Sequence, residues 1–362
     1  MRIIYFSPGY STHDHRFLKA ISDGRHEAFF VQLEGNARRI EDRPVPEGVI
    51  QVIWKGGRKP FQWRNLLSLT LDFRRLTHEI KPDLVHAGPI QTCALIAALA
   101  GARPLLAMSW GFDLMDDVHK GWMWEFATKY TLKRSTFFTS DSNVTKDKAV
   151  AYGMNPEKTI VFPWGVDLDH FRTKNAEDRM AKEGFVLFCN RAWEPRYGVD
   201  VLARAFVKVA RQREDVRLLL LSGGSQAANI RRILQSGGVE EYVTFGGQIS
   251  QTDLPRWYHM ADLYISPSHV DGSSVSLMEA LACGLPCLVS DIPANKEWVF
   301  ENKNGWLFRD GDADHLAEKI LAVMNQREEL PEIGRASRGE AERRADWKKN
   351  AAALMEVYRS LA

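Results

Sequence analysis

Short apolar runs recur along this chain, separated by stretches with helical spacing. Ile3–Phe6, Phe29–Leu33 and Val49–Trp54 have the length and the β-branched or aromatic content of strands. Leu84–His86, Leu105–Met108 and Thr136–Thr139 are shorter, as buried parallel strands are. Between them lie helices: one starts near Thr12, and Leu66, Leu69, Phe73, Leu76 and Ile80 mark one face of an arginine-bearing helix. After Ile160–Phe162 a polar stretch, Arg172 to Glu183, interrupts the pattern, which then restarts. Strands are predicted at Phe185–Cys189, Val216–Leu221, Tyr242–Phe245, 262–265 and Pro286–Ser290, with helices over 199–211, 226–235 and about 274–283.

Such βαβα order implies parallel sheets covered on both faces, with ligands at the carboxyl ends of the strands. The expected fold is α/β, with two Rossmann-like, doubly wound domains facing each other across a cleft. They are placed at 1–165 and 166–345, with 346–362 a helix returning to the first. The segments near 332–343 and 346–361 are both expected to pack back across the first domain.

Composition is that of a globular protein, with 45% hydrophobic and 26% charged residues. The net charge of +2 hides an asymmetry: residues 1–165 carry 22 Lys and Arg against 17 Asp and Glu, the remainder 26 against 29. No apolar run is long enough to span a bilayer, and with a strand starting at Ile3 no secretory leader is expected. Cys93, Cys189, Cys283 and Cys287 fall in apolar elements at spacings that fit neither zinc nor a redox pair, so reduced core thiols and a cytoplasmic location are expected.

The richest stretch is Ser266-Pro-Ser-His-Val-Asp-Gly-Ser-Ser-Val-Ser-Leu-Met-Glu-Ala-Leu-Ala-Cys-Gly-Leu-Pro-Cys-Leu-Val-Ser-Asp291. A polar loop leads into a helix from about Ser274, and Gly284 with Pro286 ends it. Ser273, Ser274 and Ser276 crowd the helix start, where unpaired N–H groups and the dipole favour an anion. Asp271 and Glu279 are spaced to accept hydrogen bonds from sugar hydroxyls. Together these residues describe a grip for a nucleotide sugar. Asn190-Arg191-Ala-Trp-Glu-Pro-Arg196 follows another buried strand, and its two arginines suit a diphosphate.

Asp271-x7-Glu279 followed by Ala-Leu-Ala-Cys-Gly-Leu-Pro resembles the E-x7-E signature of the retaining glycosyltransferases of family 4, which have the GT-B fold. Asp stands where that family usually has the first Glu. Arg191 and Arg196 resemble its R-x4-K element, with Arg in the Lys position. Ser109-Trp-Gly-Phe-Asp113 resembles its His-Gly-x-Asp element, with Trp110 replacing a histidine that touches the sugar or shuttles a proton in relatives. Pro163-Trp-Gly-Val-Asp167 is similar to Pro-Asn-Gly-Val-Asp, for which hinge and interdomain packing are expected. The resemblance implies a catalytic set of Asp271, Arg191, Arg196 and Asp113. It implies donor contacts at Gly9, Arg191, Arg196, Gly247, Gly272, Ser273, Ser274, Val275 and Glu279, and an acceptor side at His86 and Trp110.

The function expected is retaining transfer of a sugar from a nucleoside diphosphate to a glycan, lipid-linked or small-molecule acceptor. The alternatives are a GT-B epimerase or phosphorylase, or a two-lobed sugar-binding module; clustered Arg191, Asp271 and Glu279 argue against the last. Ser-Pro-Gly-Tyr after the first strand is not a dinucleotide fingerprint, which disfavours a dehydrogenase. No cofactor, metal or nucleic-acid partner is expected. No Asp-x-Asp falls in a predicted cleft loop, and Asp312-Ala-Asp314 reads as a helix cap.

Residues 119–134 mix Trp122, Trp124, Phe126 and Tyr130 with Lys120, Lys129, Lys133 and Arg134; Arg58–Arg64 repeats the mixture, with Arg38, Arg39 and Arg43 nearby in sequence. Such mixtures suit an anionic membrane surface, so peripheral docking on the inner face through the first domain is one expectation. An amphipathic helix burying its aromatics is the other.

Overall fold

A computed structural model describes residues 1–34, 41–58, 61–175 and 184–361. Arg38, Arg39, Lys59 and the linker residues 176–183 lie outside them. The strands are β1 (Arg2–Ser7), β2 (Glu27–Gln32), β3 (Val49–Val52), β4 (Leu84–Ala87), β5 (Leu105–Met108), β6 (Phe137–Ser140) and β7 (Thr159–Val161), then β8 (Phe185–Cys189), β9 (Val216–Leu221), β10 (Val243–Gly247), β11 (Leu263–Ser266), β12 (Cys287–Ser290) and β13 (Gly305–Phe308). Helices in the first half are α1 (Thr12–Asp23), α2 (Leu66–Ile80), α3 (Leu95–Leu99), α4 (Phe112–Met115), α5 (Trp122–Arg134) and α6 (Asn143–Ala151). Those beyond are α7 (Val199–Ala210), α8 (Ala227–Gly237), α9 (Leu254–Met260), α10 (Val275–Ala282), α11 (Pro293–Lys296), α12 (Ala313–Asn325), α13 (Leu330–Arg344) and α14 (Trp347–Ser360).

The chain forms two compact units, Met1–Trp164 with Lys348–Ala362, and Gly165–Trp347. Among the described residues the first holds a seven-stranded parallel sheet in the order β3-β2-β1-β4-β5-β6-β7, the second a six-stranded one, β10-β9-β8-β11-β12-β13. Each order reverses once, between β1 and β4 and between β8 and β11. Open parallel sheets bind ligands at such reversals.

The period of two along a strand explains why both faces are buried. Phe185, Leu187 and Cys189 of β8 join one core cluster with Leu218 and Leu220, while Val186 and Phe188 join the opposite one with Leu219 and Leu221. In the first unit Ile4 and Phe6 pack with Val85, Ala87, Leu105 and Ala107 under Leu69, Phe73, Leu76 and Ile80 of α2. All four cysteines are buried thiols.

The terminal helices divide between the units, which corrects the expectation for 332–343. α13 stays on the second unit because small residues let it lie against α10. A Cβ on Gly334 would sit 2.3 Å from the Gly284 carbonyl oxygen, and Ser337 Oγ donates to Asn304 O at 3.0 Å. α14 joins the first unit, burying Leu354, Val357 and Tyr358.

Candidate active site

The second unit brings its charged residues together at the β8/β11 reversal. Gly198 makes this approach possible: its φ is +58°, and a Cβ there would lie 2.1 Å from the Pro267 carbonyl oxygen. The loop after β8 therefore lies directly on the loop after β11. Arg191 reaches across, donating from Nη2 to Asp271 Oδ2 at 2.6 Å and from Nη1 to Ser274 Oγ at 2.7 Å and Ser276 Oγ at 3.0 Å. Its guanidinium lies over the Tyr197 ring at 4.3 Å, and Nε is buried without a partner among the described residues. Burial pulls the Arg191 pKa down, but the Asp271 carboxylate outweighs it and the group stays cationic. Burial raises the Asp271 carboxyl above its ordinary value, with Arg191 pulling the other way.

Ser274 is the N-cap of α10, its Oγ accepting from Leu277 N at 3.4 Å. Val275 opens that helix, and the Gly272 N–H donates to Asp271 Oδ1 at 3.1 Å. Ser273 accepts from Trp298 Nε1 at 3.0 Å. Glu279, one helical turn inside, is 3% exposed and lies 2.9 Å from the Tyr258 hydroxyl. Tyr258 accepts in turn from Asn190 Nδ2 at 2.9 Å, and Tyr264 OH lies 2.9 Å from Ser276 Oγ. Tyr258, Tyr264 and Trp298 were not legible as site residues, since each sits within an apolar pattern. Arg196 is half-buried, and its carbonyl accepts from His269 N at 2.9 Å. Gly247 is exposed at the end of β10 with φ +66°, its carbonyl accepting from Ser222 N.

In the first unit two expectations are corrected. Asp113 is fully buried and committed: Oδ1 accepts from Ser109 Oγ at 2.6 Å, Trp110 N at 3.1 Å and Leu114 N at 3.0 Å, and Oδ2 from Ile90 N at 3.0 Å. Burial pushes its carboxyl up to about 6, against these bonds. It organises the loop that carries Trp110. His86 is a core residue rather than an acceptor contact. It is fully buried among Tyr5, Phe17 and Tyr358, with Nδ1 2.7 Å from Tyr358 OH, and burial pushes it down to about 3. Gly9 is half-buried, its carbonyl accepting from Ser7 Oγ at 2.9 Å. Trp110 and Trp164 pack on His13 within this unit.

The helix of residues 119–134 divides between the two expectations: Trp124 and Tyr130 are half-buried, Tyr130 against the first unit's core. α5 buries Ala127, Thr128, Thr131 and Leu132 and turns Trp122 (76% exposed) and Phe126 (61%) outward. Trp124 meets Trp63 at 5.4 Å, which sets the start of α2, with exposed Leu67 and Leu71, beside them. Among the described residues no cluster of acidic, His or Cys side chains could hold a metal ion, and no helix is long and apolar enough to cross a membrane.

Comparison with known proteins agrees with this geometry. A family model described as "Glycosyl transferases group 1" matches residues 170–353, and one described as "Glycosyltransferase Family 4" matches residues 9–170. A GDP-mannose-dependent alpha-(1-6)-phosphatidylinositol monomannoside mannosyltransferase of Mycobacterium tuberculosis is 26% identical over 314 residues, covering 81% of this chain and 80% of that protein. The fold is similar to sucrose-phosphate synthase of Thermosynechococcus elongatus, with TM-score 0.82, 18% identity, and coverage of 100% of this chain and 99% of that one. It is also similar to Anabaena HepE in complex with UDP and glucose, with TM-score 0.81, 16% identity, and coverage of 99% and 100%.

Proposed function

Because this chain belongs to the family 4, group 1 glycosyltransferases, matched from residue 9 to residue 353, we propose that it moves a hexosyl group from a nucleoside diphosphate to a lipid-linked acceptor with retention of configuration. The observation that carries the proposal is Arg191, held between Asp271 and the capped start of α10 beside buried Glu279. A diphosphate leaving group develops negative charge as the glycosidic bond breaks. The Arg191 guanidinium and the amide groups opening α10 are fixed donors for that charge, and Arg196 adds a second cation. Glu279, oriented by Tyr258, suits the ribose hydroxyls, and Asp271 suits those of the sugar. This set supplies the electrostatic stabilisation from the chain itself, so transfer without a divalent cation is expected.

Retention is what the family 4 resemblance implies, and two candidate residues for the inverting base are not suited to it. Inversion needs a base opposite the leaving group. Trp110 has no basic nitrogen, and Asp113 is enclosed by four donors. Attack from the leaving-group side, with the departing diphosphate accepting the proton, fits the residues present. Labelled GDP-mannose and UDP-glucose, offered with and without lipid acceptors, test the proposal.

Two observations support a lipid-linked acceptor: the substrate in the mycobacterial relative's name, and the outward face of the first unit. Trp122, Phe126, Leu67 and Leu71 are exposed there, with exposed Arg64, Lys129, Lys133 and Arg134 on the same two helices and the turn before α2. Aromatic side chains rimmed by cations suit the interface of an anionic bilayer. Vesicle flotation with the full chain should show binding to anionic but not neutral lipid. Binding should weaken with salt, which screens such attraction beyond about 10 Å at 0.1 M. Equal flotation with both lipids would refute the electrostatic part.

A further inference from the structure

The second unit holds a cavity of about 480 Å³ away from the Arg191 cluster. That volume is within the roughly 300–1,000 Å³ typical of small-molecule sites. Asp262, just before β11, and Pro286, just before β12, line it, so it lies at the amino ends of these strands. Arg191, Asp271 and Ser274 follow the carboxyl ends of β8 and β11, on the opposite edge of the sheet. α10 runs from one place to the other: Ser274 caps its start, and Cys283, its C-cap, lines the cavity. Tyr258 also lines it, while its hydroxyl donates to Glu279 Oε2 at 2.9 Å.

The space exists because of what α13 presents. Pro331, Gly334, Arg335, Arg338 and Glu342 recur every three or four residues and share the face that lines the cavity. Gly334 is there for packing against Gly284. Gly339, also in the lining, has no such reason: a Cβ on it would meet nothing within 4 Å. Glycine inside a helix costs stability relative to alanine, and here it leaves the lining open.

Charge in the lining does not cancel. Of its two carboxylates, Glu342 accepts from Arg338 Nε at 2.7 Å, and Asp262 Oδ2 lies 3.9 Å from Arg327 Nη2 and accepts from Val186 N at 2.9 Å. Arg338 is further committed, donating from Nη1 to Ala282 O and Phe171 O, each at 2.8 Å. Arg335 is exposed and pairs with neither carboxylate, and Lys174 is a further cation in the lining. Leu285, Pro286 and Leu330 supply buried apolar surface beside these cations. Surplus positive charge next to apolar surface complements a phosphate monoester on a compact apolar or ring-shaped body, since guanidinium matches phosphate geometry.

We propose that this cavity is a second ligand site, for a small phosphate monoester whose phosphate is received by Arg335. The site is separate from the nucleotide site, and the proposal does not depend on the glycosyltransferase reading.

The full chain is titrated with phenyl phosphate and glucose 6-phosphate by calorimetry and saturation-transfer NMR, with and without saturating GDP or UDP. Phenol and glucose are the same bodies without the phosphate. At least one phosphate should bind in the presence of nucleotide where its phosphate-free body does not. Arg335→Glu should weaken that binding about tenfold or more, the size of a lost charge-assisted contact. Gly339→Leu fills the open lining with a good helix former and should weaken it about threefold or more. GDP and UDP affinities of both variants should stay within about twofold of wild type. Neither phosphate binding at millimolar concentration would overturn the proposal, as would binding seen only without nucleotide, or equal binding by wild type and Arg335→Glu. Should Arg335→Glu fail to fold, Gly339→Leu decides in its place. If wild type binds neither GDP nor UDP, the functional reading fails, and the two phosphates still decide the cavity.

Discussion

Arg191→Met separates the fold of the second unit from its chemistry. The native pair is mostly buried, with Arg191 10% and Asp271 15% exposed, and it is joined at 2.6 Å. Methionine keeps the length of the side chain and removes the charge, leaving a carboxylate enclosed without its counter-ion. Breaking a buried pair from one side costs about 3–5 kcal/mol. For a unit of this size that lowers the melting temperature by about 10 °C, at 2–4 °C per kcal/mol. The Asp271 pKa, already raised by burial, rises further once Arg191 no longer opposes it. A carboxyl raised in the folded state stabilises the fold only where it is protonated, so the deficit should shrink as pH falls from 7 to 5. Adding Asp271→Asn removes the stranded charge and should recover most of the lost stability, because replacing both partners is far cheaper than replacing one. Nucleotide binding should not recover in the double variant. It should stay roughly 10- to 100-fold weak, as expected from losing a charge-assisted contact. Scanning calorimetry at the two pH values, with GDP and UDP titrations, reads every term. A single variant melting within about 2 °C of wild type, or a double variant binding nucleotide normally, would refute the reasoning.

Glu279→Gln should lower donor turnover by roughly tenfold or more while the melting temperature holds, since the amide loses charge-assisted bonds worth about 1.5–3 kcal/mol each; unchanged kinetics would remove Glu279 from the site. Transfer should persist in excess chelator, and activity abolished by EDTA and restored by magnesium or manganese would contradict the proposed stabilisation by Arg191 and α10. His86, pushed down to about 3 by burial, stays neutral in the fold while the unfolded chain protonates near its ordinary value. The contribution of His86 to stability should therefore be complete above about pH 6.5 and fall on acidification by about 1.4 kcal/mol per pH unit. Pairing His86→Phe with Tyr358→Phe should flatten that slope between pH 5 and 7, and an unaltered slope would show that other groups set it.

That Arg191, Asp271, Ser274 and Glu279 lie together was largely legible because the signals are local. A capping serine, a carboxylate pair eight positions apart and a Gly-Leu-Pro stop define one loop and one short helix. Arg191 could be placed beside them because it ends the neighbouring buried strand. Asp113 and His86 misled for the opposite reason: a motif fixes residue type, and burial depends on distant parts of the chain. His86 is sealed by Tyr358 from the last helix, and Asp113 by N–H groups from two separate loops. Tyr258 and Trp298 reach the site from apolar patterns that look like core alone. The outward face of α5 was ambiguous because its polar buried residues, Thr128 and Thr131, break the usual apolar stripe.

The central claim is retaining transfer to a lipid-linked acceptor, and proton NMR of the purified product tests it most directly. The chain is incubated with GDP-mannose or UDP-glucose and a lipid acceptor, and the new linkage is examined as it forms. The account predicts an organic-soluble glycolipid whose one-bond C1–H1 coupling at the anomeric centre is that of an α linkage, matching the α-linked donor. A β-linked product, or label released only as free sugar across the lipid acceptors tried, would contradict it.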